Sequence, residues 1–377
     1  MTTTSRETGG SGRTPRVLQV ALSLNPGGTE RLVVDLVRHF AGQIPMAVCC
    51  LDEVGAWASE LAADGVPVTA LHREAGFRPI LGRAIAQAAA AHAANVIHSH
   101  QYSPFVYSCL ARLWRPGCRL IFTEHGRLSD VGPSPKRRLA NRALQVFPRE
   151  VFAVSEDLRQ HIIAEGFAPS IVNVIYNGIV VGPLPDRAAR EDVRCAIGAS
   201  DSTFVVGTIA RLDPVKDLRT LITAVSECVK QIPMRLLIVG DGPERGSLEQ
   251  CAVETGAAPF VRFLGHRDDA RRWLAGCDAY VNSSVSEGVS LTILEAMAAG
   301  LPVIATRVGG TPEVLSDASG RLVPPREPLA LATTLRELAT RRDLRESMGR
   351  AARQRVEDRF TLERMIGAYR SAYYRAA

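Results

Sequence analysis

Short apolar runs alternate with amphipathic segments along nearly the whole chain, and this alternation constrains the fold more than any other feature. Arg16–Leu22 (RVLQVAL) is a strand-like run, and helical periodicity follows it from Glu30 to Phe40. Similar pairs continue to residue 176, and a second series begins at Thr203 after a break rich in proline and charge. Repeated β–α alternation predicts an α/β protein with a doubly wound parallel sheet in each half.

The length of the chain supports this division. Its 377 residues exceed what one hydrophobic core ordinarily serves, so two domains are expected. Residues 1–15 contain no apolar core region and are predicted to be a disordered tail rather than a signal peptide. We assign residues 16–183 to an N-terminal domain, 184–358 to a C-terminal domain and 359–377 to a final helix.

Composition excludes several classes of protein. With 46% apolar and 22% charged residues the chain is globular, and no apolar run approaches the roughly 18 residues of a membrane span. Eight scattered cysteines without a C-x-x-C pair indicate free thiols and a cytoplasmic protein. The net charge of +6 fits an anionic substrate or membrane surface without requiring either. Nucleic-acid binding is not expected, because basic and acidic residues are mixed.

The stretch VNSSVSEGVSLTILEAMAAGLPVIATRVGGTPEV, from Val281 to Val314, carries two glutamates eight positions apart. Glu287 lies in a strand-to-helix loop, and Glu295 lies on the following helix. Taken singly, the first could cap the helix and the second could simply be solvated. Together, at the carboxyl end of a parallel strand, they indicate a ligand site, as an acid/base pair or as a clamp.

Two cations follow the first strand of the second half. Arg211 and Lys216 lie on one short loop and can point at a single anionic group. Surface pairs with Asp213 or Asp217 are the alternative. A glycine-rich loop, GDGPE at residues 240–244, follows the next strand, and the two loops outline a pocket for a diphosphate and a nucleoside.

The first half has candidates of its own. Gly27 and Gly28 precede a helix, which is how a phosphate or a sugar is brought to a helix N-terminus, although a plain turn is the alternative. His100 and His125 fall just beyond strand ends, where such sheets bind ligands. A histidine hydrogen-bonded within a loop is the alternative for each. The position between Glu124 and Gly126 favours function for His125 and leaves His100 open.

Pro135–Phe147 (PKRRLANRALQVF) is predicted to be a basic amphipathic helix. Such a helix can lie on an anionic membrane surface. More often, a short helix of this sort packs one face on the protein and leaves the other in water.

Several blocks occur together that identify a resemblance: NPGGTERL, TEHG, VIYNGI, ARLDPVKD, LLIVGDGPE and the E-x7-E pair Glu287 and Glu295. In this order they resemble the family 4 glycosyltransferases, over residues 16–365. The resemblance implies the GT-B architecture, in which two Rossmann-like domains face each other across a cleft. It also implies that the last helix crosses back to the N-terminal domain.

The resemblance further implies a retaining transfer of a sugar from a nucleotide-sugar donor, with no cofactor and no metal. The acceptor would be a saccharide or a lipid-linked acceptor, in cell-envelope or exported polysaccharide or glycolipid synthesis. The enzyme would be cytoplasmic, with peripheral contact at the inner face of the membrane through Pro135–Phe147.

The resemblance also implies roles for individual residues. Arg211 and Lys216 would neutralise the donor diphosphate, Glu287 would face the donor sugar, and Glu295 would bind the ribose. His125 would lie near the reacting side of the sugar. The remaining donor-binding positions are Gly27, Gly28, Gly240, Gly242, Gly288, Val289, Ser290 and Leu291. The acceptor side would include His100, Tyr102 and Arg127.

The sequence departs from the family pattern in two loops. Val180 follows NGI where the family often has aspartate, and Val289 and Ser290 replace the usual loop residues after EG. A nucleotide-sugar 2-epimerase of the same fold and a non-catalytic sugar-nucleotide-binding subunit remain the alternatives. A dinucleotide-dependent dehydrogenase is disfavoured, because no G-x-G-x-x-G opens either half.

Overall fold

A computed structural model describes residues 13–127 and 134–377. Most of the predicted N-terminal tail, residues 1–12, lies outside these residues. The N-terminal half forms one parallel sheet with strand order β3-β2-β1-β4-β5-β6-β7. Its strands are β1 Val17–Ala21, β2 Met46–Cys50, β3 Val68–Ala70, β4 Val96–His100, β5 Arg119–Glu124, β6 Pro148–Ala153 and β7 Val172–Val174.

The second half repeats this arrangement. Its parallel sheet has the order β10-β9-β8-β11-β12-β13. The strands are β8 Phe204–Ile209, β9 Met234–Val239, β10 Val261–Phe263, β11 Ala279–Asn282, β12 Val303–Thr306 and β13 Gly320–Val323. Both sheets therefore begin in the middle and wind outwards in two directions, which is the Rossmann order. The expected fold class, two doubly wound α/β domains, is confirmed.

Helices cover both faces of each sheet, which explains why the central strands are continuous apolar runs rather than alternating ones. The N-terminal helices are α1 Gly28–Phe40, α2 Ala58–Ala63, α3 Ile80–Ala91, α4 Tyr102–Trp114, α5 Pro135–Leu144 and α6 Glu156–Ala164. The later helices are α7 Arg187–Ala196, α8 Leu218–Cys228, α9 Arg245–Glu254, α10 Leu291–Ala298, α11 Thr311–Val314, α12 Pro328–Thr340, α13 Arg342–Arg359 and α14 Leu362–Ala376.

Local sequence signals explain several boundaries. Ser155 caps α6, because its hydroxyl accepts the backbone N–H of Leu158. Gly300 ends α10 with a φ of +76°, a conformation that glycine adopts at little cost. Residues Ala270–Gly276 form a 3₁₀ segment before β11.

The final helix, α14, lies on the N-terminal sheet rather than on the sheet that precedes it in the chain. Tyr369 and Tyr373 are completely buried, in a cluster with Val17, Ile121 and Phe152 of the first sheet. The chain thus crosses from one domain to the other before it ends.

Helix α5 is shorter than its sequence-based prediction. It ends at Leu144, before Phe147. Asn141 is its buried residue, and Arg137 packs beside it, whereas Leu139 is 70% exposed. The helix therefore packs through Asn141, Arg137 and Leu144 and turns Leu139 and Ala143 outwards.

All eight cysteines are free thiols. Across residues 13–127 and 134–377, no helix is long and apolar enough to cross a membrane.

Candidate functional site

The candidate residues gather at the switch points of the two sheets, where the strand order reverses. In the first sheet this point lies between β1 and β4, and in the second it lies between β8 and β11. Open α/β sheets bind ligands at the carboxyl ends of strands at such points. The glycine loop at 27–28 follows β1 and His100 ends β4, while Lys216 follows β8 and Glu287 follows β11.

Glu287 is the most heavily hydrogen-bonded residue of this site. Its Oε1 accepts from Lys216 Nζ at 2.6 Å, from Ser284 Oγ at 2.7 Å and from Asn282 Nδ2 at 3.1 Å. Ser283 Oγ donates to the Lys216 carbonyl at 2.9 Å and so ties the Lys216 loop to the end of β11. Two loops that are far apart in sequence thus present one cation and one carboxylate together.

The charge of Glu287 is retained despite burial. Its side chain is only 10% exposed, and burial alone would raise its pKa. The Lys216 ammonium, with the Ser284 and Asn282 donors, outweighs this effect and holds the pKa of Glu287 below its ordinary value. The site therefore contains a buried carboxylate that stays ionised at neutral pH.

Two glycines after β12 hold the Glu287 loop in place. Gly309 has a φ of +49°, and a Cβ there would overlap the Glu287 carbonyl oxygen. A Cβ at Gly310 would overlap the carbonyl oxygen of Gly288. Only glycine permits this close approach of backbone to backbone.

The two domains meet at this loop. A Cβ on Gly288 would overlap the carbonyl oxygen of His125, which lies at the end of β5 in the N-terminal domain. Asn177 Nδ2 donates to the Val289 carbonyl at 2.9 Å, and Val289 is buried. Gly288 and His125 thus lie side by side, which links the E-x7-E loop to the candidate histidine across the cleft.

His125 and His100 are in direct contact. His125 Nε2 lies 2.9 Å from His100 Nδ1, and the two rings are stacked. His100 is fully buried, and burial lowers its pKa well below the usual value for histidine. Burial also lowers the pKa of His125, to about 3, so both rings are neutral at physiological pH.

Arg211 forms the surface pair that the sequence left open. Its Nε lies 3.0 Å from Asp213 Oδ2, and its side chain is 69% exposed. It also faces Glu30 on α1: burial raises the pKa of Glu30, and the charge of Arg211 opposes that rise. Arg211 therefore lies at the cleft without direct contact to Glu287 within the described part of the chain.

Glu295 pairs with a residue that the sequence did not single out. Arg271 Nη2 lies 2.7 Å from Glu295 Oε1. Burial raises the pKa of Glu295, and Arg271 opposes this rise, as does Arg31 of α1. Glu295 thus faces the cleft beside the N-terminal domain. Ser290 and Leu291 form the start of α10, where the Ser290 hydroxyl lies 3.1 Å from Thr292 Oγ1.

The predicted glycines divide into two groups. A Cβ at Gly240 would overlap the Ala210 carbonyl oxygen, and one at Gly242 would lie 2.7 Å from Leu212 backbone atoms. These two glycines are therefore required where the GDGPE loop packs on the Arg211 loop. Gly28, by contrast, has no atom within 4 Å of its Cβ position, so the backbone at the start of α1 is open.

Two candidates on the acceptor side are engaged by neighbouring helices. The Tyr102 hydroxyl donates to Asn141 Oδ1 at 2.7 Å, and the Arg137 guanidinium lies 3.9 Å from its ring centroid. Arg127 Nη2 donates to both carboxylate oxygens of Asp157 at 2.7 Å. Among the described residues, neither side chain forms a hydrogen bond with His125.

The residues that support the predicted ones were not among the candidates named from the sequence. Asn282 and Ser284 lie in the small polar exit of β11, and that signal was available. Glu30, Arg271 and Arg31 carry no such signal, because their proximity to the site depends on how the two domains and the 3₁₀ segment pack.

The fold and the paired switch points define a two-domain glycosyltransferase of the GT-B class. A family model described as Glycosyltransferase Family 4 matches residues 26–181, and one described as Glycosyl transferases group 1 matches residues 203–341. D-inositol 3-phosphate glycosyltransferase of Saccharomonospora viridis is 30% identical over 305 residues, which are 74% of this chain and 70% of that protein. The chain belongs to the family 4 (group 1) glycosyltransferases.

Two further similarities agree with this assignment. N-acetyl-alpha-D-glucosaminyl L-malate synthase of Bacillus anthracis is 33% identical over 178 residues, which are 47% of each chain. HepE of Anabaena in complex with UDP has a TM-score of 0.84 and 25% identity, over 95% of this chain and 99% of that one. Its complex with UDP-glucose has a TM-score of 0.82 over the same shares, also at 25% identity.

Proposed function

We propose that this protein is a retaining, metal-independent glycosyltransferase that moves a sugar from a nucleotide-sugar donor to a saccharide or lipid-linked acceptor. The reaction would serve cell-envelope or exported polysaccharide or glycolipid synthesis, and the enzyme would be cytoplasmic. The observation that carries the proposal is the Lys216–Glu287 pair at the switch point of the C-terminal sheet, beside Gly288 and His125.

The donor in this proposal is a uridine diphosphate sugar. HepE of Anabaena, which shares 25% identity with this chain, was solved with UDP and with UDP-glucose. The GDP- and ADP-sugars are the competing donors and belong in the same screen.

Transfer breaks the bond between sugar and diphosphate, so the leaving group gains negative charge. Lys216 has three N–H donors, of which Glu287 engages one, and the others can bind phosphate oxygens. Arg211 is held by one exposed pair with Asp213, which costs little to break. Fixed cations near the developing charge lower the barrier by electrostatic stabilisation.

Glu287 is proposed to bind the donor sugar rather than to attack it. Its carboxylate is held on one oxygen by three donors, so hydroxyl groups of a sugar can donate to the remaining lone pairs. Glu295 would accept the ribose hydroxyls, and the backbone amides of residues 288–291 would bind the sugar and the phosphate. Gly27 and Gly28 would approach the diphosphate from the other domain.

Metal independence rests on the same cations. They supply positive charge where other transferases use a divalent ion. Within residues 13–127 and 134–377, no three His, Cys, Asp or Glu side chains converge in a metal-binding group. Activity in excess EDTA, compared with activity in added Mg²⁺ or Mn²⁺, tests this part directly, and loss of activity in EDTA contradicts it.

The three lysines of the chain allow a matched test of the phosphate-binding role. Lys216→Ala should lower turnover by about 10²–10³, the loss typical when one donor to a developing anion is removed. Lys230→Ala is the control, because Lys230 forms a surface pair with Glu227 at 2.7 Å. Full turnover in Lys216→Ala contradicts the role of Lys216, and loss in both variants points to a general effect.

Helix α5 supports an additional proposal, contact with an anionic membrane surface. Leu139 on α5 and Val146, two residues beyond its end, are 70% and 76% exposed, and exposed Ala143 lies between them in the sequence, so together they form an outward-facing apolar stripe. Basic residues flank this apolar stripe, which is the pattern of a helix lying in a bilayer interface. Leu139→Ser should reduce co-sedimentation with phosphatidylglycerol vesicles. Leu329→Ser, at a residue 64% exposed on α12, should not. Equal binding by both variants contradicts the contact.

A further inference from the structure

A chain of buried hydrogen bonds joins the C-terminal helix to the cleft histidine. Gln19 Nε2 donates to the Tyr373 hydroxyl at 3.0 Å, and Gln19 Oε1 lies 2.8 Å from His100 Nε2. His100 Nδ1 lies 2.9 Å from His125 Nε2. Gln19, His100 and Tyr373 are completely buried, so no solvent competes for these bonds.

The directions of these bonds follow from the donors and acceptors available. Gln19 Oε1 can only accept, so His100 Nε2 must carry a proton and donate it. A neutral ring has one N–H, and His100 Nδ1 is therefore an acceptor. His125 Nε2 must then be the donor in the bond between the two rings.

The orientation of the Gln19 amide is fixed by a second neighbour. Met46 Sδ lies 3.6 Å from Gln19 Nε2 and can only accept a hydrogen bond. Reversal of the amide would turn the carbonyl oxygen towards this sulfur, so both would be acceptors. The Tyr373 hydroxyl, which accepts from Gln19, in turn donates to His98 Nδ1 at 2.9 Å.

We propose that Gln19, His100 and Tyr373 are positioning residues that hold His125 as the Nε2–H tautomer. Its Nδ1 then accepts a hydrogen bond from a hydroxyl group of the donor sugar or of the acceptor. This inference rests on the proposed function, because it assigns a substrate hydroxyl as the partner of His125. It gives the crossing helix α14 a role in the reaction as well as in packing.

The hydrogen-bond directions require uncharged histidine rings throughout this chain of hydrogen bonds, and the surroundings keep the rings uncharged. Burial lowers the pKa of His98 and of His100 well below the usual value. The other neighbours of His98 are neutral as well: Thr123 Oγ1 lies 2.8 Å from His98 Nε2, and Tyr369 packs against the ring. His125 thus donates to His100 through Nε2 and presents Nδ1 to the substrate as an acceptor, so it does not act as a general acid.

The tautomer of His125 can be determined without measuring enzyme activity. Long-range ¹H–¹⁵N spectra of the ¹⁵N-histidine-labelled full-length protein, assigned with His100→Asn and His125→Asn, report which nitrogen of each ring is protonated. The expected result is an Nε2–H and an unprotonated Nδ1 on both His100 and His125. An Nδ1–H on His125 overturns the proposal.

A matched pair of tyrosine variants tests the chain of hydrogen bonds itself. Tyr373→Phe removes the acceptor of Gln19 and should disturb the His125 ¹⁵N signals. It should also lower kcat by roughly 5- to 10-fold, with KM changed by less than about twofold, as expected for one lost hydrogen bond. Tyr369→Phe is the control, because its equally buried hydroxyl bonds to none of Gln19, His100 and His125 and reaches His98 only through Thr123 Oγ1, 3.4 Å away.

Failure of this inference can be told apart from failure of the proposed function. If Tyr373→Phe and Tyr369→Phe leave the His125 signals equally unchanged, the chain does not position His125 and the inference is wrong. If the expected signals appear but no nucleotide sugar is consumed, the positioning stands and the proposed function fails. Gln19→Leu, which cuts the chain one step closer to His125, should change the signals more than Tyr373→Phe does.

Discussion

Glu287 shows how a single residue acquires its properties from distant parts of the sequence. Ser284 and Asn282 are local, but Lys216 comes from another strand-to-helix loop. Without the lysine, burial would push this carboxyl towards its neutral form. The spacing of the two glutamates could not distinguish an acid/base pair from a clamp. The contacts of Glu287 favour the clamp, since its carboxylate is charged and already hydrogen-bonded.

Glu287→Gln tests the charge at this position. The amide keeps the size of the side chain but loses the attraction to Lys216, so turnover should fall by about 10²-fold. The fold should survive, because Lys216 remains 24% exposed and can be solvated. Steady-state kinetics and thermal unfolding give the two readouts. Glu249→Gln, in an exposed pair with Arg245, is the control, and equal rates in the two variants would refute the role of Glu287.

At the scale of elements, glycines decide how closely the site loops approach each other. Gly309 and Gly310 support the Glu287 loop, and Gly240 and Gly242 support the Arg211 loop. The family pattern marks the latter pair as donor-binding, but the structure gives both a packing reason as well. These contacts are made by the backbone of the glycine loops. They therefore position the charged residues of the site loops without any side chain from the glycine loops.

Gly309→Ala should be strongly destabilising. The φ of +49° strains any other residue, and the new methyl group would overlap the Glu287 carbonyl, so a loss of roughly 2 kcal/mol or more is expected. Gly246→Ala, inside α9 with open space at its Cβ position, should be stabilising by about 0.5–1 kcal/mol. Urea unfolding measures both. An unchanged free energy of unfolding in Gly309→Ala would contradict this prediction and would mean that the loop shifts to accept the methyl group.

The sequence could predict the order of the elements and the ends of strands where the site lies, because apolar runs and their exits are local signals. It could not predict which groups meet across the cleft. Arg271 reaches Glu295 from the 3₁₀ segment Ala270–Gly276. Tyr102 and Arg127, predicted for the acceptor side, contact residues of α5 and α6, and only tertiary packing determines these contacts.

At the scale of the whole molecule, the two domains are joined by specific contacts beside the cleft. Glu313 of α11 accepts the backbone N–H groups of Glu156 and Asp157 at 2.8 Å each, at the start of α6. The same carboxylate accepts from the Tyr176 hydroxyl at 2.8 Å. A negative charge at a helix N-terminus is favourable, so this contact stabilises the approach of the domains that brings Gly288 to His125.

Buried histidines should make the stability of the whole molecule depend on pH. His98 and His100 stay neutral when folded, but their unfolded forms bind protons below a pH of about 6.5. The unfolding free energy should therefore fall on acidification from about pH 6.5 to 5, by up to 1.4 kcal/mol per pH unit for each histidine.

Glu124 acts in the opposite direction. Burial raises its pKa to about 8, so its contribution is full at low pH and is lost as the pH rises through about 8. His125 acts with His98 and His100. Three histidines therefore oppose Glu124 and the smaller pKa rises of Glu30 and Glu295, and the net change between about pH 5 and 6.5 keeps the sign given by the histidines. Urea unfolding across this range measures it, and stability that rises on acidification would contradict the account.

The most direct test of the central claim is to follow a nucleotide sugar and its products by ¹H NMR. The purified protein is incubated in turn with UDP-, GDP- and ADP-sugars, with and without a panel of saccharide and lipid-linked acceptors. One donor, first of all a UDP-sugar, should be consumed, and the transferred sugar should keep the anomeric configuration of the donor. Inversion would contradict the retaining mechanism, and failure to bind or consume any of these donors would contradict the claim that the protein is a glycosyltransferase.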